Sequence, residues 1–215
     1  CDTPVQSTPA SVAPVVISID AMGGDSGPRA VIGGMAKSAS QNPNIRFVVH
    51  GDAAELNKLL KRKPDLAARC EIVPTEKVIS MDAKPSLALR NSKGTSMQAA
   101  LQTVADGKAQ VAVSCGNTGA LMALSMLCLR KAPGVNRPAI AVLWPSMKEP
   151  GHSVMLDVGA DIRADAADLV QYAIMGSSYA RNALGIARPR VGLLNVGTEQ
   201  HKGRAELHEA AELLT

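Results

Sequence analysis

The chain has 215 residues, 46% of them hydrophobic, which is enough to bury one sizeable core or at most two small domains. Lysine and arginine outnumber aspartate and glutamate by 23 to 19, and the resulting net charge of +4 suits an acidic partner or substrate. Aromatic residues make up only 2% of the chain. Because nucleic-acid binding depends on a stronger basic excess and on stacking rings, the composition argues against nucleic acid as a partner.

The cysteines and the apolar segments narrow the class further. The four cysteines have no paired spacing and form no metal-binding framework, so we expect reduced thiols, no metal and a cytoplasmic protein. No apolar run approaches the roughly 20 residues of a membrane span, and the N-terminus lacks the pattern of a signal peptide. Because the sequence starts with Cys1 rather than methionine, we interpret the chain as a fragment or a processed product.

Strand-like and helix-like segments alternate from residue 15 onward, after a stretch at 1–14 whose composition predicts a flexible tail. The predicted strands lie at 15–19, 45–50, 71–74, 111–114, 139–144, 154–157 and 190–195. The predicted helices lie at 52–61, 85–105 with a possible break at Gly94, 118–130, 165–184 and 205–214. This alternation predicts an α/β fold over 15–215, with a mostly parallel sheet covered by helices on both faces.

The first strand leads into the turn Asp20-Ala-Met-Gly-Gly-Asp25, and Pro28 can open the following helix from its first position. Gly23 and Gly24 allow the backbone to approach a ligand closely. A strand, a glycine-rich turn and a helix N-terminus together favour an anion, because unpaired N–H groups and the helix dipole face the same point. The same pattern is also typical of a strand-to-helix turn without a ligand, and the spacing alone supports both interpretations equally.

Three further strands end in turns rich in glycine, asparagine, aspartate and threonine, at residues 115–120, 157–161 and 195–203. In a parallel α/β sheet the carboxyl ends of the strands line the ligand crevice. We therefore expect four such turns on one edge of the sheet, and this favours a ligand site there.

Motifs for nucleotide binding are weak in this chain. No segment fits G-x-G-x-x-G, and the stretch from Gly192 to Gly197 has the glycine spacing of a P-loop but carries Thr198 at the lysine position. An ATPase or a dinucleotide-dependent dehydrogenase is therefore poorly supported.

Several sequence blocks occur in a specific order along the chain. They are Asp20-Ala-Met-Gly-Gly-Asp25, Val113-Ser-Cys-Gly-Asn-Thr-Gly-Ala120, Arg137-Pro-Ala-Ile140, Leu156-Asp-Val-Gly-Ala160, Met175-Gly-Ser-Ser-Tyr-Ala180 and Val191-Gly-Leu-Leu-Asn195, followed by Gly197-Thr-Glu and Lys202-Gly203. Together, from about Val15 to the C-terminus, they closely resemble the phosphate acyltransferase family of bacterial phospholipid synthesis, the PlsX family. That family's usual chain continues well past residue 215, so the resemblance implies that a C-terminal part is absent.

The resemblance implies a three-layer α/β/α sandwich, similar in fold to phosphotransacetylases and isocitrate dehydrogenase-like enzymes. It also implies a reaction in which inorganic phosphate attacks the thioester of a fatty acyl chain on acyl carrier protein, without a cofactor or a metal. The resemblance further implies a cytoplasmic homodimer that associates peripherally with the inner face of the membrane. Two alternatives remain, a phosphotransacetylase-like enzyme that uses acyl-coenzyme A and an inactive interaction fragment.

Such chemistry requires placement of two anionic reactants and stabilisation of the oxyanion on the attacked carbonyl. We assign catalysis to Lys202, for which a solvated loop lysine is the alternative interpretation, with Asn195 as a second donor. We expect three carboxylates to orient donors or to shape the turns: Asp20, Asp25 and Asp157. The predicted phosphate-binding residues supply backbone N–H groups and side-chain donors: Gly23, Gly24, Gly116, Asn117, Thr118 and Gly119.

Docking of acyl carrier protein, which is strongly acidic, requires a basic surface. One candidate group is Lys58, Lys61, Arg62 and Lys63, although a solvated helix face explains these residues about as well. The other group is Lys84, Arg90 and Lys93, which we favour slightly because Lys84-Pro-Ser-x-Ala-x-Arg90 also resembles the family.

Overall fold

A computed structural model describes residues 13–147, 149, 151–158, 164–197 and 202–215. The chain divides into two compact units, Cys1–Arg130 and Lys131–Thr215. The tail predicted at residues 1–14 lies almost wholly outside the described residues.

The first unit is built on a four-stranded sheet in which all neighbouring strands are parallel, in the order β3-β2-β1-β4. The strands are β1 (Val15–Asp20), β2 (Ile45–Gly51), β3 (Cys70–Pro74) and β4 (Val111–Ser114). In this register Ile17 pairs with Phe47 on one side and with Val111 on the other. The four strands predicted from β-branched runs are confirmed, each to within one residue at either end.

The helices of the first unit follow the predicted alternation. They are α1 (Gly27–Gln41), α2 (Ala53–Leu60), α3 (Pro64–Ala67), α4 (Pro85–Arg90), α5 (Ser96–Ala105) and α6 (Thr118–Cys128). Pro28 is the second residue of α1, one position later than predicted, and still lies in its first turn. Gly94 has a φ of +82°, which a helix cannot contain, so the helical pattern at 85–105 forms α4 and α5 rather than one helix.

Helices cover both faces of the sheet, because alternate strand residues point to opposite sides. On one face Ile19, Phe47 and Val49 form a buried core with side chains of α1, α2 and α3: Ile32, Met35, Ala39, Leu56, Leu60 and Leu66. On the other face, Ser18 Oγ donates a hydrogen bond to the Ala100 carbonyl of α5 at 2.9 Å. The predicted α/β/α layering around a mostly parallel sheet is thereby confirmed.

A second buried cluster joins α4, α5 and α6. Its members include Met97 and Leu101 of α5, which pack with Ala120 and Leu124 of α6. Since Ala120 and Leu124 are both 0% exposed, the first turns of α6 are fixed against the rest of the unit.

The second unit contains the antiparallel pair β5 (Ala141–Pro145) and β6 (His152–Leu156) and the helices α7 (Ala166–Leu184) and α8 (Ala205–Leu213). Asp165 caps α7 by accepting a hydrogen bond from the Asp168 N–H at 2.8 Å, and Gly185 ends it in the left-handed conformation. The pairing of β5 with β6 is antiparallel, unlike the sheet of the first unit, because residues 146–151 are too few for a parallel crossover.

The strand predicted at 190–195 is wrong. The described residues there form no strand, and Leu194 is 75% exposed. Its aliphatic pattern predicted a strand, but a strand also needs a neighbour to pair with its backbone groups, and no described strand does so. None of the helices that the structure describes combines the length and the apolar character that a membrane crossing requires.

Candidate active site

Two glycine-containing turns meet at one edge of the sheet in the first unit. Since β1 and β4 are neighbouring parallel strands, the turns that follow them leave the sheet on the same side. A Cβ placed on Gly23 would lie 2.9 Å from the Gly116 nitrogen, and one placed on Gly24 would lie 2.7 Å from the Cys115 carbonyl oxygen. Gly24 also has a φ of +96°. The close approach of these two turns therefore depends on glycine at both positions.

This edge presents backbone N–H groups. No described residue accepts a hydrogen bond from the N–H of Gly23 or Gly24. The helix α1 begins just after this turn, and its N-cap residue Ser26 makes no side-chain capping hydrogen bond. At the other turn, Thr118 and Gly119 carry N–H groups of the first turn of α6, for which the helix itself has no acceptor. Such groups, together with the positive ends of helix dipoles, are suited to binding an anion.

A buried carboxylate organises the second of these turns. Asp20, at the end of β1, is 1% exposed, and its Oδ2 accepts a hydrogen bond from Ser114 Oγ at 2.7 Å. Ser114 Oγ in turn accepts one from the Gly116 N–H at 3.0 Å. The Oδ1 atom of Asp20 is buried and finds no partner among the described residues. The sequence does not distinguish Ser114 from other polar residues, and its place at the end of a predicted strand is the one local signal for it.

Asn117 is engaged with other parts of the protein. It caps α6, since its Oδ1 accepts a hydrogen bond from the Ala120 N–H at 2.9 Å. Its Nδ2 donates to the carbonyl oxygens of Met81 at 2.6 Å and of Ala83 at 2.9 Å. An amide nitrogen has two hydrogens, so these contacts occupy both. Asn117 therefore ties the segment before α4 to the start of α6, and its predicted contact with phosphate stays a prediction.

The remaining residues predicted for the phosphate site differ in exposure. Thr118 and Asp25 are exposed, whereas Gly119 lies against α4. A Cβ on Gly119 would be 2.8 Å from Cγ of Pro85. Thr118 and Asp25 are thus accessible to a ligand, and Gly119 is required for the contact between two helix starts.

Three basic residues predicted to dock a partner surround α4. Lys84 is its N-cap residue, Arg90 lies in its last turn, and Lys93 follows it; all three are exposed. The same helix forms one wall of a groove of about 450 Å³ with a largely apolar lining that includes Val78, Ile79, Leu87 and Ala88. This surface therefore combines positive charge with an apolar groove. The alternative group at 58–63 is also exposed.

In the second unit, a hydrogen bond joins Asn195 to the segment that carries Lys202. Asn195 Nδ2 donates to the Lys202 carbonyl at 3.0 Å, and Asn195 Oδ1 accepts from the Val196 N–H at 2.8 Å. Gly203 has a φ of +96°, and a Cβ on it would overlap the Asn195 amide. The two residues to which we assign catalysis are thus held close together. Residues 198–201 between them lie outside the described residues.

Asp157 follows β6 in an unusual backbone conformation. Its φ is +60°, in the left-handed region, and its N–H donates to the Ile140 carbonyl at 3.0 Å. Residues other than glycine seldom adopt this conformation, and such outliers cluster at functional sites. The role of Asp157 in shaping the turn at 157–161 stays a prediction.

Burial alters the pKa values of one histidine and two cysteines. It lowers the pKa of His50 from 6.5 to about 4, although the nearby Asp20 carboxylate acts in the opposite direction. It raises the pKa of the Cys70 thiol from 9.0 to about 11 and also raises that of Cys128. Both thiols are therefore protonated near neutral pH and poorly suited to nucleophilic attack. Within the described ranges, no three His, Cys, Asp or Glu side chains converge as a metal site requires.

Solved structures with a similar arrangement define the class of fold. The chain is similar to the EutD phosphotransacetylase from Staphylococcus aureus, with a TM-score of 0.63 and 18% identity over 93% of this chain and 63% of the other. A phosphotransacetylase from Streptococcus pyogenes gives a TM-score of 0.64 and 17% identity over 94% and 65% of the two chains. The protein therefore has the α/β fold that these phosphotransacetylases share.

Sequence comparison defines the family. A family model described as fatty acid synthesis protein matches residues 15–215, so the chain belongs to that family. A phosphate acyltransferase from Paracoccus denitrificans (strain Pd 1222) is 66% identical over 200 residues, or 93% of this chain and 54% of the relative. One from Jannaschia sp. (strain CCS1) is 63% identical over 204 residues, or 95% and 56%. The resemblance to the phosphate acyltransferase family is confirmed, and the chain spans about half the length of these curated relatives.

Proposed function

We propose that the protein transfers an acyl group from a thioester to inorganic phosphate. The observation that carries this proposal is the family match over residues 15–215, and the anion-binding character of the two adjoining turns supports it. A phosphate oxygen attacks the thioester carbonyl carbon, the C–S bond breaks, and the thiolate leaves and takes a proton from water. Phosphate is already charged near neutral pH and a thiol has a pKa of roughly 8.5, so the reaction does not require a strong general base or acid.

The first unit is the proposed phosphate site. We assign direct contacts to the N–H groups of Gly23, Gly24, Thr118 and Gly119, together with the exposed hydroxyl of Thr118. Gly116 uses its N–H on Ser114, so we assign Gly116 and Asn117 to fixing the position of the turn. Carboxylates repel a phosphate dianion, which is why Asp20 and Asp25 are assigned to organising the turns and not to binding.

Lys202 is the proposed catalytic residue. An ammonium group stabilises negative charge either on phosphate or on the carbonyl oxygen of the tetrahedral intermediate, and that stabilisation is often the largest single contribution to catalysis. Asn195 is proposed to hold the Lys202 segment through its hydrogen bond to the Lys202 carbonyl. The proposal follows the family resemblance and the chemistry of the ammonium group.

The catalytic assignment is tested in the complete protein that contains this chain. We expect Lys202→Ala to lower kcat for phosphate-dependent thiol release from palmitoyl-acyl carrier protein by about 100-fold or more, with Lys202→Arg retaining part of the rate. The exposed Lys108→Ala is the matched control and should leave the rate unchanged. Equal rates for Lys202→Ala and the control would refute the role of Lys202. Absence of activity in the unsubstituted complete protein would refute the proposed function. If the complete protein is active and residues 1–215 alone are not, this chain is an inactive part of the enzyme.

We further propose that the acyl donor is acyl carrier protein. The basic residues around α4 suit an acidic partner, and the adjoining groove offers apolar area to it. Electrostatic complementarity of this kind mainly accelerates association and weakens at high salt. Acyl-coenzyme A is the alternative donor, which the phosphotransacetylase-like fold brings into consideration.

Charge reversal separates the two donors. We expect Lys84→Glu with Arg90→Glu to raise KM for palmitoyl-acyl carrier protein at least about tenfold while KM for palmitoyl-coenzyme A changes little. The control pair Lys61→Glu with Arg62→Glu makes the same charge change on the other basic group. A larger effect of the control pair would indicate that acyl carrier protein docks at residues 58–63 instead. Preference of the unsubstituted protein for the coenzyme A donor would favour the alternative.

The proposal includes a cytoplasmic homodimer that associates peripherally with the inner face of the membrane, as the family resemblance implies. Sedimentation over a dilution series tests the dimer. Flotation with anionic phospholipid vesicles tests the membrane association. A monomer at all concentrations would contradict the dimer, and absence of the protein from the floating vesicle fraction would contradict the membrane association.

A further inference from the structure

A cavity of about 450 Å³ lies between α1 and the sheet of the first unit. This volume is within the roughly 300–1,000 Å³ of small-molecule sites in proteins. The sheet supplies a wall of apolar side chains: Ile17, Ile19, Phe47 and Val113. One face of α1 supplies the opposite wall, through Ala30, Val31, Gly34, Met35 and Ser38.

The mouth of this cavity is the glycine-rich turn after β1. Asp20, Gly23, Gly24, Asp25 and Cys115 border it, so polar backbone and carboxylate groups lie at the end where we place phosphate. Between Gly27 and Ser38 the wall of α1 extends for about 16 Å, given a rise of 1.5 Å per residue. A site that is polar at its mouth and mainly apolar along its length suits an elongated ligand with a polar group at one end.

We propose that this cavity holds the alkyl chain of the acyl donor, with the reacting carbonyl at the mouth, and that Gly34 determines how long a chain it accepts. This inference rests on the proposed function, which supplies the acyl thioester. Gly34 lies about 10 Å beyond Gly27 along the helix, so a long chain passes it and a short chain ends before it. A Cβ on Gly34 meets no atom within 4 Å, so the space beside it is open.

The neighbouring Gly33 provides a matched control. It lies in the same helix, a Cβ on it also meets no atom within 4 Å, and it does not line the cavity. A leucine at Gly34 enters the space proposed for the chain, whereas a leucine at Gly33 changes only the helix surface. The two substitutions alter helix propensity equally, so a difference between them reports the cavity.

The experiment compares palmitoyl and butyryl thioesters of acyl carrier protein in the complete protein. We expect Gly34→Leu to lower kcat/KM for palmitoyl at least about tenfold relative to butyryl, and Gly33→Leu to leave the ratio unchanged within about twofold. If Gly34→Leu does not fold, by its circular dichroism and Tm, Gly34→Ala takes its place with a smaller shift of the same ratio.

An unchanged ratio in a folded Gly34 variant would overturn the inference, since another segment of the complete protein or solvent would then occupy the cavity. Equal losses for both donors would also overturn it, because they would indicate a general effect on the fold. Absence of phosphate-dependent turnover with either donor in the unsubstituted protein would instead refute the proposed function.

Discussion

Ser114 Oγ donates a hydrogen bond to Asp20 Oδ2 at 2.7 Å and so joins the last residues of two neighbouring parallel strands. Ser114 Oγ also accepts a hydrogen bond from the Gly116 N–H. The carboxylate at the end of β1 therefore fixes, through Ser114, the turn that follows β4. A buried charged group needs such partners, since removing one leaves the full cost of desolvation uncompensated. The hydrogen bond to Ser114 therefore provides a partner for a buried carboxylate at the edge where we propose that phosphate binds.

We expect Ser114→Ala to raise KM for phosphate several-fold and to lower the free energy of unfolding by about 1–3 kcal/mol, because Asp20 loses its hydrogen-bond donor and Gly116 its acceptor. Asp20→Asn removes the charge, and in that background Ser114→Ala should cost less. A double-mutant cycle by urea unfolding measures this coupling. Additive effects would show that the two residues act independently, and Ser114→Thr, which keeps the hydroxyl, should retain most of the phosphate affinity.

Gly23→Ala tests how tightly the two turns approach each other. The added Cβ would lie 2.6 Å from Asp20 Oδ2 and 2.9 Å from the Gly116 backbone, so the turns must separate. We expect a loss of about 1–3 kcal/mol in the free energy of unfolding, together with weaker phosphate binding. Gly33→Ala, in open space within α1, should instead be stabilising by up to about 1 kcal/mol. Equal Tm values for both variants would contradict the close contact.

The sequence predicted best where local pattern and tertiary packing agree. The β-branched run of β1 is a strand because it lies between two parallel neighbours, and Gly94 separates α4 from α5 because of its positive φ. The segment at 190–195 has the same aliphatic pattern without a paired neighbour, and it is not a strand. The pattern of aliphatic residues indicates which segments suit a strand, but it does not show whether another strand is available to pair with them.

For the proposed phosphate site, the sequence predicted the role of the glycines better than the contacts of the side chains. Gly24 has a φ of +96°, which few other residues adopt, and Gly23 leaves no room for a Cβ beside the Gly116 backbone. Ser114 and Asn117 form hydrogen bonds to residues 94 and 36 positions away, and no local pattern indicates such partners. Their positioning roles therefore emerge only from the structure.

Asn117→Asp separates the capping role of Asn117 from its role in holding the segment before α4. The aspartate still accepts from the Ala120 N–H, but it cannot donate to the Met81 and Ala83 carbonyls and places a charge beside them. We expect a loss of about 2–3 kcal/mol in the free energy of unfolding and faster amide exchange at residues 80–84. Asp52→Asn, which replaces the exposed N-cap residue of α2 with another capping residue, is the comparison. Unchanged exchange at 80–84 would assign Asn117 to capping alone.

His50 should make the stability of the protein depend on pH between about 4 and 6.5. Ser18 Oγ and Thr103 Oγ1 each donate their one hydrogen to a carbonyl, of Ala100 and Ala99 respectively. Both hydroxyls must therefore accept from His50 Nε2, at 3.0 and 3.1 Å, which makes Nε2 the protonated nitrogen of the neutral ring. The buried Nδ1 has no hydrogen-bond acceptor among the described residues. Protonation of Nδ1 would therefore place a buried positive charge on the ring without an acceptor for the new N–H.

The pKa of His50 in the folded protein is about 4, against 6.5 for an unperturbed histidine, so between these values the unfolded chain binds more protons. The free energy of unfolding should then fall as the pH decreases from 6.5 towards 4, by about 3 kcal/mol in total for this group. Urea titrations at pH 7.0, 5.5 and 4.5 measure the slope. His50→Gln should remove most of it, whereas the exposed His208→Gln should leave it intact. If both variants kept the slope of the unsubstituted protein, the carboxylates and not His50 would be its source.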